Sequence, residues 1–116
     1  MSRIASLMGI RPTLIPFGVR GPVDWVTGAC VLLRVQALRE VGLFDTGFFL
    51  YFEEVELMHR LKAKGWRCYH CPESRVMHLE GASTGVAEGK VPPDYVFASR
   101  HRFFALIGGR LHALLA

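Results

Sequence analysis

The 116-residue sequence has no apolar run approaching the roughly 20 residues that a membrane-crossing helix needs. The stretch from Ser2 to Ile10 also lacks a convincing signal-peptide cleavage site before Arg11. Three cysteines are an odd number, which argues against a disulfide framework and fits a reducing compartment. These absences argue against an integral membrane protein or a disulfide-stabilised secreted domain, and we therefore expect a cytoplasmic protein.

Runs of like charge are also missing. The chain carries 14 lysine and arginine residues against 10 aspartate and glutamate residues, a formal net charge of +4, but the basic residues are spread along the sequence. Nucleic-acid binding usually needs basic residues gathered on one face, so we predict no nucleic-acid partner. With 51% hydrophobic and 21% charged residues, the composition is that of one globular domain with a modest core.

The most informative stretch joins an aromatic cluster to paired carboxylates. Phe48 to Phe52 is mostly aromatic and runs directly into Glu53 and Glu54. From Glu53 to Lys64 the apolar residues recur at spacings of three and four, which predicts an amphipathic helix that ends at Gly65. Both carboxylates would then lie in the first turn, above a partly apolar face. One interpretation is a first turn stabilised by the helix dipole; the other is a catalytic base directed into a cleft.

The remaining patterns predict an α/β fold of about three helices packed on a small mixed sheet. Val23 to Leu33 is mostly apolar and predicts a strand buried on both faces, the most buried of the fold, with Gly28 where another backbone or a ligand comes close. Two more helices are expected, from Val35 to Val41 and from Asp94 to Ile107. Shorter extended segments are expected at Trp66 to Cys71 and at Arg75 to Leu79.

Proline and glycine divide the chain into three parts. Residues 1–22 form a loop-rich lead-in, residues 23–85 the main unit, and residues 86–116 a loop followed by the terminal helix. The arginines of that helix alternate with apolar residues, so it could lie on an acidic membrane surface, but a packed terminal helix explains the same pattern and is preferred.

Two other signals have structural explanations. Cys68 and Cys71 have the spacing of a zinc knuckle, and His78 follows nearby. On a strand the two thiols would point to opposite faces, so we prefer structural cysteines over a zinc-dependent binding module. Glu56 and Arg60 are four residues apart in the favourable order, which predicts a solvated ion pair on the helix surface.

Taken together, these residues resemble the C-terminal half of a family 2 glycosyltransferase of the GT-A type, in particular the bacterial rhamnosyltransferase-like members. The resemblance is close from about residue 23 to residue 84 and loose beyond. It begins with the stretch from Val23 to Cys30 and continues through Arg34 and the segment from Glu40 to Asp45. The later matching residues are Phe48, Phe49, Tyr51, Glu53, Glu54, Val55, Leu57, Arg60, Gly65, Trp66, Pro72, His78, Gly81 and Ser83.

The resemblance implies transfer of a sugar, with inversion, from a nucleotide-diphosphate donor to a hydroxyl of a glycan or lipid-linked acceptor. Such a protein would act in cell-surface polysaccharide synthesis, in the cytoplasm or peripherally at the inner membrane face. Glu54, with Glu53 beside it, would be the catalytic base. The implied acceptor-binding residues are Asp24, Trp25, Gly28, Phe49 and Tyr51, and the implied residues near the donor and its divalent cation, Mg²⁺ or Mn²⁺, are His78, Gly81 and Ser83, with His78 a candidate metal ligand.

The sequence departs from the family pattern in two respects. The family's Glu-Asp pair is Glu53-Glu54 here, so the base is one methylene longer and its geometry changes. The family's N-terminal half, with its nucleotide-binding strands and its Asp-x-Asp metal ligands, has no counterpart in these residues. We therefore expect the isolated chain to be inactive and to expose apolar surface that an upstream half or a second copy would cover.

A non-catalytic remnant that binds a glycan, a membrane surface or a partner chain is the alternative function. The sequence does not distinguish a truncated gene product from a split gene or an excised domain.

Overall fold

The structure, a computed structural model, describes residues 18–77 and 92–115. Two short strands and three helices follow one another along this part of the chain. They are β1 (Gly21–Val23), α1 (Val35–Val41), α2 (Glu53–Ala63), β2 (Cys68–His70) and α3 (Asp94–Leu115). The predicted α/β fold with three helices and a small sheet is therefore confirmed.

The sheet consists of β1 and β2 paired antiparallel, with Gly21 opposite His70 and Val23 opposite Cys68. The predicted strand from Val23 to Leu33 is wrong, because only Val23 belongs to β1 and the following residues form turns and irregular backbone. One local cause of the turn is Thr27. Its hydroxyl accepts a hydrogen bond from the Ala29 N–H at 3.4 Å, which favours a turn over a strand. Leu32 is 99% exposed, so this segment is far from the most buried of the fold.

Helix α1 has the predicted bounds. Gly42 follows it with φ of 88°, a conformation that suits glycine, and its N–H donates to the Leu38 carbonyl at 2.8 Å. Ala37 is the buried residue of this helix. The indole N–H of Trp66 donates to Glu40 at 2.9 Å, which fastens α1 to the segment after α2.

Helix α2 buries one face and, like α1, ends where the sequence predicts. Leu57 is fully buried and Met58 is 4% exposed, while Gly65 adopts φ of 85° just beyond the helix. The Glu56–Arg60 pair exists, with contacts of 2.6 and 2.8 Å, but it is not the solvated pair we predicted because Glu56 is only 7% exposed. Arg60 also donates to the backbone carbonyls of Val41, Gly42 and Leu43 and so satisfies the carboxyl end of α1.

Helix α3 packs on the aromatic segment that precedes α2. The buried residues of this cluster are Phe48, Phe52, Phe103, Phe104 and Ala113. Phe103 and Phe104 are 1% and 4% exposed, which confirms the packed terminal helix. The helix continues past its predicted end at Ile107 to Leu115, and Gly109 has non-helical angles that kink it. No helix in the described part of the chain is both long and apolar enough to cross a membrane.

Candidate catalytic and acceptor site

The backbone turns sharply just before the carboxylate pair. Tyr51 and Phe52 both have left-handed φ angles, 66° and 69°, which side chains of this bulk rarely adopt. Each such residue costs about 1–3 kcal/mol and persists only where the surrounding structure holds it. Phe52 is also the residue before α2, and its side chain caps none of the free amides of the helix. The position of the first turn of α2 therefore depends on contacts from outside that helix.

Glu54 is a buried carboxyl in that first turn. Only 9% of its surface is exposed, and its Oε2 atom is buried without a hydrogen-bond partner in the described structure. Burial raises the pKa of Glu54 above the ordinary 4.5, the neighbouring charge of Glu53 adds to the rise, and the backbone N–H groups of Glu54, Gly28 and Val55 oppose it. Burial is the largest of these effects.

Glu53 has a similar open oxygen in a less buried setting. Its Oε2 atom also lacks a hydrogen-bond partner among the described residues, but the residue is only half-buried. Two adjacent carboxyls with unsatisfied oxygens can accept a proton or a hydroxyl hydrogen bond. The deeper burial of Glu54 favours it as the base, and its assignment over Glu53 stays a prediction.

The loop after β1 lies against the same turn of α2. A β-carbon placed on Gly28 would meet the Cβ of Glu54 at 3.8 Å, so the neighbour of Gly28 is the side chain of Glu54, whereas the prediction was another backbone or a ligand. The Val26 N–H lies 3.2 Å from the sulfur of Met58, which ties the loop to α2. Asp24 forms an ion pair with Lys62, and Trp25 is 38% exposed. The structure thus brings Gly28 to the carboxylate, while the carboxyl of Asp24 is engaged by a lysine.

Phe49 and Tyr51 are joined by a residue that the sequence analysis did not single out. The Tyr95 ring of α3 lies edge-on to Phe49 at 5.4 Å and parallel to Tyr51 at 6.4 Å. Phe49 is 81% exposed, so this group of three rings presents apolar surface to solvent chiefly through Phe49. No local motif marks Tyr95, because its importance comes from a helix more than 40 residues along the chain packing on the aromatic segment.

The cysteines form no metal site with the other residues that the structure describes. Cys68 is half-buried with its sulfur 3.9 Å from that of Met58, Cys71 is exposed, and burial raises the pKa of Cys68, which disfavours the thiolate that zinc requires. Residues 18–77 and 92–115 contain no cluster of three potential metal ligands. His78, Gly81 and Ser83 lie outside the described residues, so their donor and metal roles stay predictions, as does the divalent cation.

Comparison with known proteins agrees with the resemblance found in the sequence. One relative is the N-acetylglucosaminyl-diphospho-decaprenol L-rhamnosyltransferase of Mycobacterium tuberculosis. It is 42% identical over 64 residues, which are 55% of this chain and 21% of that protein. Rhamnosyltransferase WbbL of Escherichia coli K12 is 32% identical over 78 residues, 65% of this chain and 30% of its own. The O-antigen biosynthesis protein RfbC of Myxococcus xanthus is 39% identical over 75 residues, 62% of this chain and 6% of its own.

The chain therefore corresponds to 30% or less of the length of each of these relatives. No solved structure matches it at a significant level. The model of one family, described as glycosyltransferase like family 2, matches residues 17–90. Because that match covers more than half of the sequence, the chain belongs to glycosyltransferase like family 2.

Proposed function

We propose that this chain forms the acceptor side of an inverting glycosyltransferase site in which Glu54 is the general base. The observation that carries the proposal is the buried carboxyl of Glu54, with one oxygen open to accept a hydrogen bond at the start of α2. A base must be held rigidly and must reach the proton that it removes, and the buried first turn of a helix meets the first of these needs.

The reaction is a single displacement. The acceptor hydroxyl oxygen forms a bond to the anomeric carbon of the donor sugar while the bond from that carbon to the diphosphate oxygen breaks. The hydroxyl proton passes to Glu54, and the nucleoside diphosphate leaves with the bonding electrons. A raised pKa makes the Glu54 carboxylate a stronger base than an exposed glutamate, provided that it is ionised at the working pH.

We propose that aromatic residues on and around the segment that precedes the carboxylate pair hold the acceptor. The rings of Phe49, Tyr51 and Tyr95 offer an apolar surface to a sugar face or a lipid carrier, and Trp25 on the loop after β1 is available for the same purpose. The name of the mycobacterial relative specifies a lipid-linked diphosphate acceptor, which supports a lipid-linked glycan as the acceptor here. We propose that, with such an acceptor, the reaction takes place at the inner membrane face. We propose that residues outside the described part of the chain bind the donor.

A transfer assay tests this function. The protein would be produced as these 116 residues and with any segment that its gene encodes upstream. It would be offered a panel of nucleotide sugars, including a nucleotide rhamnose, with lipid-linked N-acetylglucosamine diphosphate as acceptor. We expect transfer only from the longer protein. If no donor supports transfer by either form, the proposal is wrong.

The base is tested in the active form by Glu54→Gln, which keeps the shape of the side chain and removes its basicity. Turnover should fall by roughly 100-fold or more, the scale for loss of a general base, and Glu53→Gln should cost less. Glu73→Gln is a matched control. Glu73 follows β2, is exposed, and forms its ion pair with Arg20 rather than with a residue of the candidate site. Near-normal turnover in Glu54→Gln would remove Glu54 from the reaction.

A further inference from the structure

The turn that leads into Glu54 is held mainly by α3. Four residues of this helix, spaced so that they share one face, reach the segment before α2: Tyr95, Ser99, Arg102 and Phe103. Tyr95 packs on Phe49 and Tyr51, and the Phe103 ring lies 5.6 Å from that of Phe52. Arg102 binds both carboxylate oxygens of Asp45, at 2.7 and 3.0 Å.

Ser99 makes the contact nearest to the left-handed pair. Its hydroxyl donates to the Leu50 carbonyl at 2.8 Å, and Ser99 is only 4% exposed. Leu50 directly precedes Tyr51, so this hydrogen bond fixes the peptide on the entry side of the strained turn. Within residues 18–77 and 92–115, this is the one side-chain hydrogen bond to the backbone from Leu50 to Phe52. The Ser99 hydroxyl is therefore the polar side-chain group that holds this part of the turn.

We infer that Ser99 is a positioning residue for Glu54: by holding the Leu50 carbonyl it keeps Tyr51 and Phe52 left-handed and so keeps the first turn of α2 aimed into the site. This role rests on the proposed function only in making Glu54 the base. The hold itself is a property of the folded chain and can be measured without catalysis.

Loss of the hydroxyl has a defined consequence for Glu54. Without the hydrogen bond the Leu50 carbonyl loses its Ser99 partner, and the left-handed pair, now held only by the ring contacts of Tyr95 and Phe103, relaxes part of the way toward an ordinary conformation. The first turn of α2 then shifts, and water reaches the Glu54 carboxyl. Because burial is the main cause of its raised pKa, that pKa should fall toward 4.5. The charged side chain that perturbs Glu54 is Glu53, which the substitution leaves in place.

The test is a carboxyl titration by NMR on the 116-residue chain with ¹³C-labelled glutamate, using Glu54→Gln to identify the Glu54 signal. Ser99→Ala should lower the pKa of Glu54 toward that of an exposed glutamate, whereas Ser99→Thr, which retains a hydroxyl, should leave it raised. Ser74→Ala is the matched control, because Ser74 is exposed and distant in sequence from the turn. Should Ser99→Ala fail to fold, Ser99→Cys preserves volume with a much weaker donor and should give the same fall.

An unchanged Glu54 titration in a folded Ser99→Ala or Ser99→Cys chain would overturn the inference. In the active form, Ser99→Ala should also lower kcat by about 10-fold with little change in the donor KM, since displaced catalytic groups slow the chemical step more than binding. Normal turnover in Glu54→Gln together with a shifted Glu54 titration in Ser99→Ala would refute the proposed function and leave the positioning role standing. The reverse pattern would refute the positioning role alone.

Discussion

Gly47→Ala tests whether the contact between α3 and the turn before the aromatic segment is needed for stability. Gly47 lies in that turn, where its N–H donates to the Asp45 carboxylate at 2.8 Å. A β-carbon at this position would overlap the guanidinium carbon of Arg102 and two of its nitrogens, well inside van der Waals contact. The guanidinium cannot simply swing away, because it is bound to Asp45 and lies 5.4 Å from the centre of the Phe48 ring.

The cost of the substitution is the loss of these two interactions. The side chains of Arg102 and Asp45 are 41% and 26% exposed, so their ion pair is partly screened and contributes about 1 kcal/mol despite its two-pronged geometry. The contact of the cation with the Phe48 ring adds about 0.5–1 kcal/mol. We therefore expect Gly47→Ala to lower the free energy of unfolding by about 1–2 kcal/mol.

Urea unfolding of a double-mutant cycle measures this effect. Once Arg102→Ala has removed the guanidinium, the added methyl group has nothing to displace, so Gly47→Ala should cost little in that background. The Gly47 N–H first and Arg102 second lower the pKa of Asp45 below 3.8. Stability from this carboxylate is thus present above that pH and lost as the pH falls through the folded-state pKa, so in acid the difference between wild type and Arg102→Ala should shrink to the contribution of the Phe48 contact. An equal cost of Gly47→Ala in both backgrounds would refute the displacement of Arg102.

Two further predictions concern α2. Because folding raises the pKa of Glu54, the folded chain holds that proton more tightly than the unfolded chain, and stability falls as the pH rises from 4.5 through the folded-state pKa. Glu54→Gln should therefore be at least as stable as wild type at pH 7, and a large loss on thermal unfolding would contradict this. Arg60→Lys should lower the free energy of unfolding by about 2 kcal/mol, because one lysine ammonium cannot hydrogen-bond to Glu56 and to the α1 carbonyls at the same time. An unchanged midpoint of urea unfolding would show that these hydrogen bonds do not stabilise the fold.

The helices could be predicted because their signals are local. Gly42 and Gly65 both adopt left-handed φ angles directly after α1 and α2, and such end signals depend on only a few neighbouring residues. The apolar spacing in α2 likewise predicted one inward face of Val55, Met58 and Leu61 with Leu57 beside them, of which Leu57 and Met58 are buried and the other two half-buried. The family resemblance was also visible in the sequence, because its motifs lie within one continuous stretch.

The failures arise where local sequence does not fix the partner. An apolar run such as Val23 to Leu33 is typical of a strand, but whether it pairs depends on a neighbouring strand, and β2 is only three residues long. The spacing of Glu56 and Arg60 predicts their ion pair but not its burial. That burial follows from α1 ending against Arg60, which no helical periodicity reports.

The candidate site shows the same division between local and distant information. Sequence placed Glu54 in the first turn of α2, yet its burial and open oxygen depend on the loop at Gly28 and on the left-handed turn before the helix. That turn combines two aromatic residues in a conformation that their own preferences oppose, so the energy that maintains it must come from elsewhere in the fold. Helix α3 supplies contacts on one face, with Ser99 at the Leu50 carbonyl and Arg102 at Asp45. If strain at the turn is the means of aiming Glu54, then α3 belongs to the catalytic apparatus although none of its side chains needs to touch the reacting atoms.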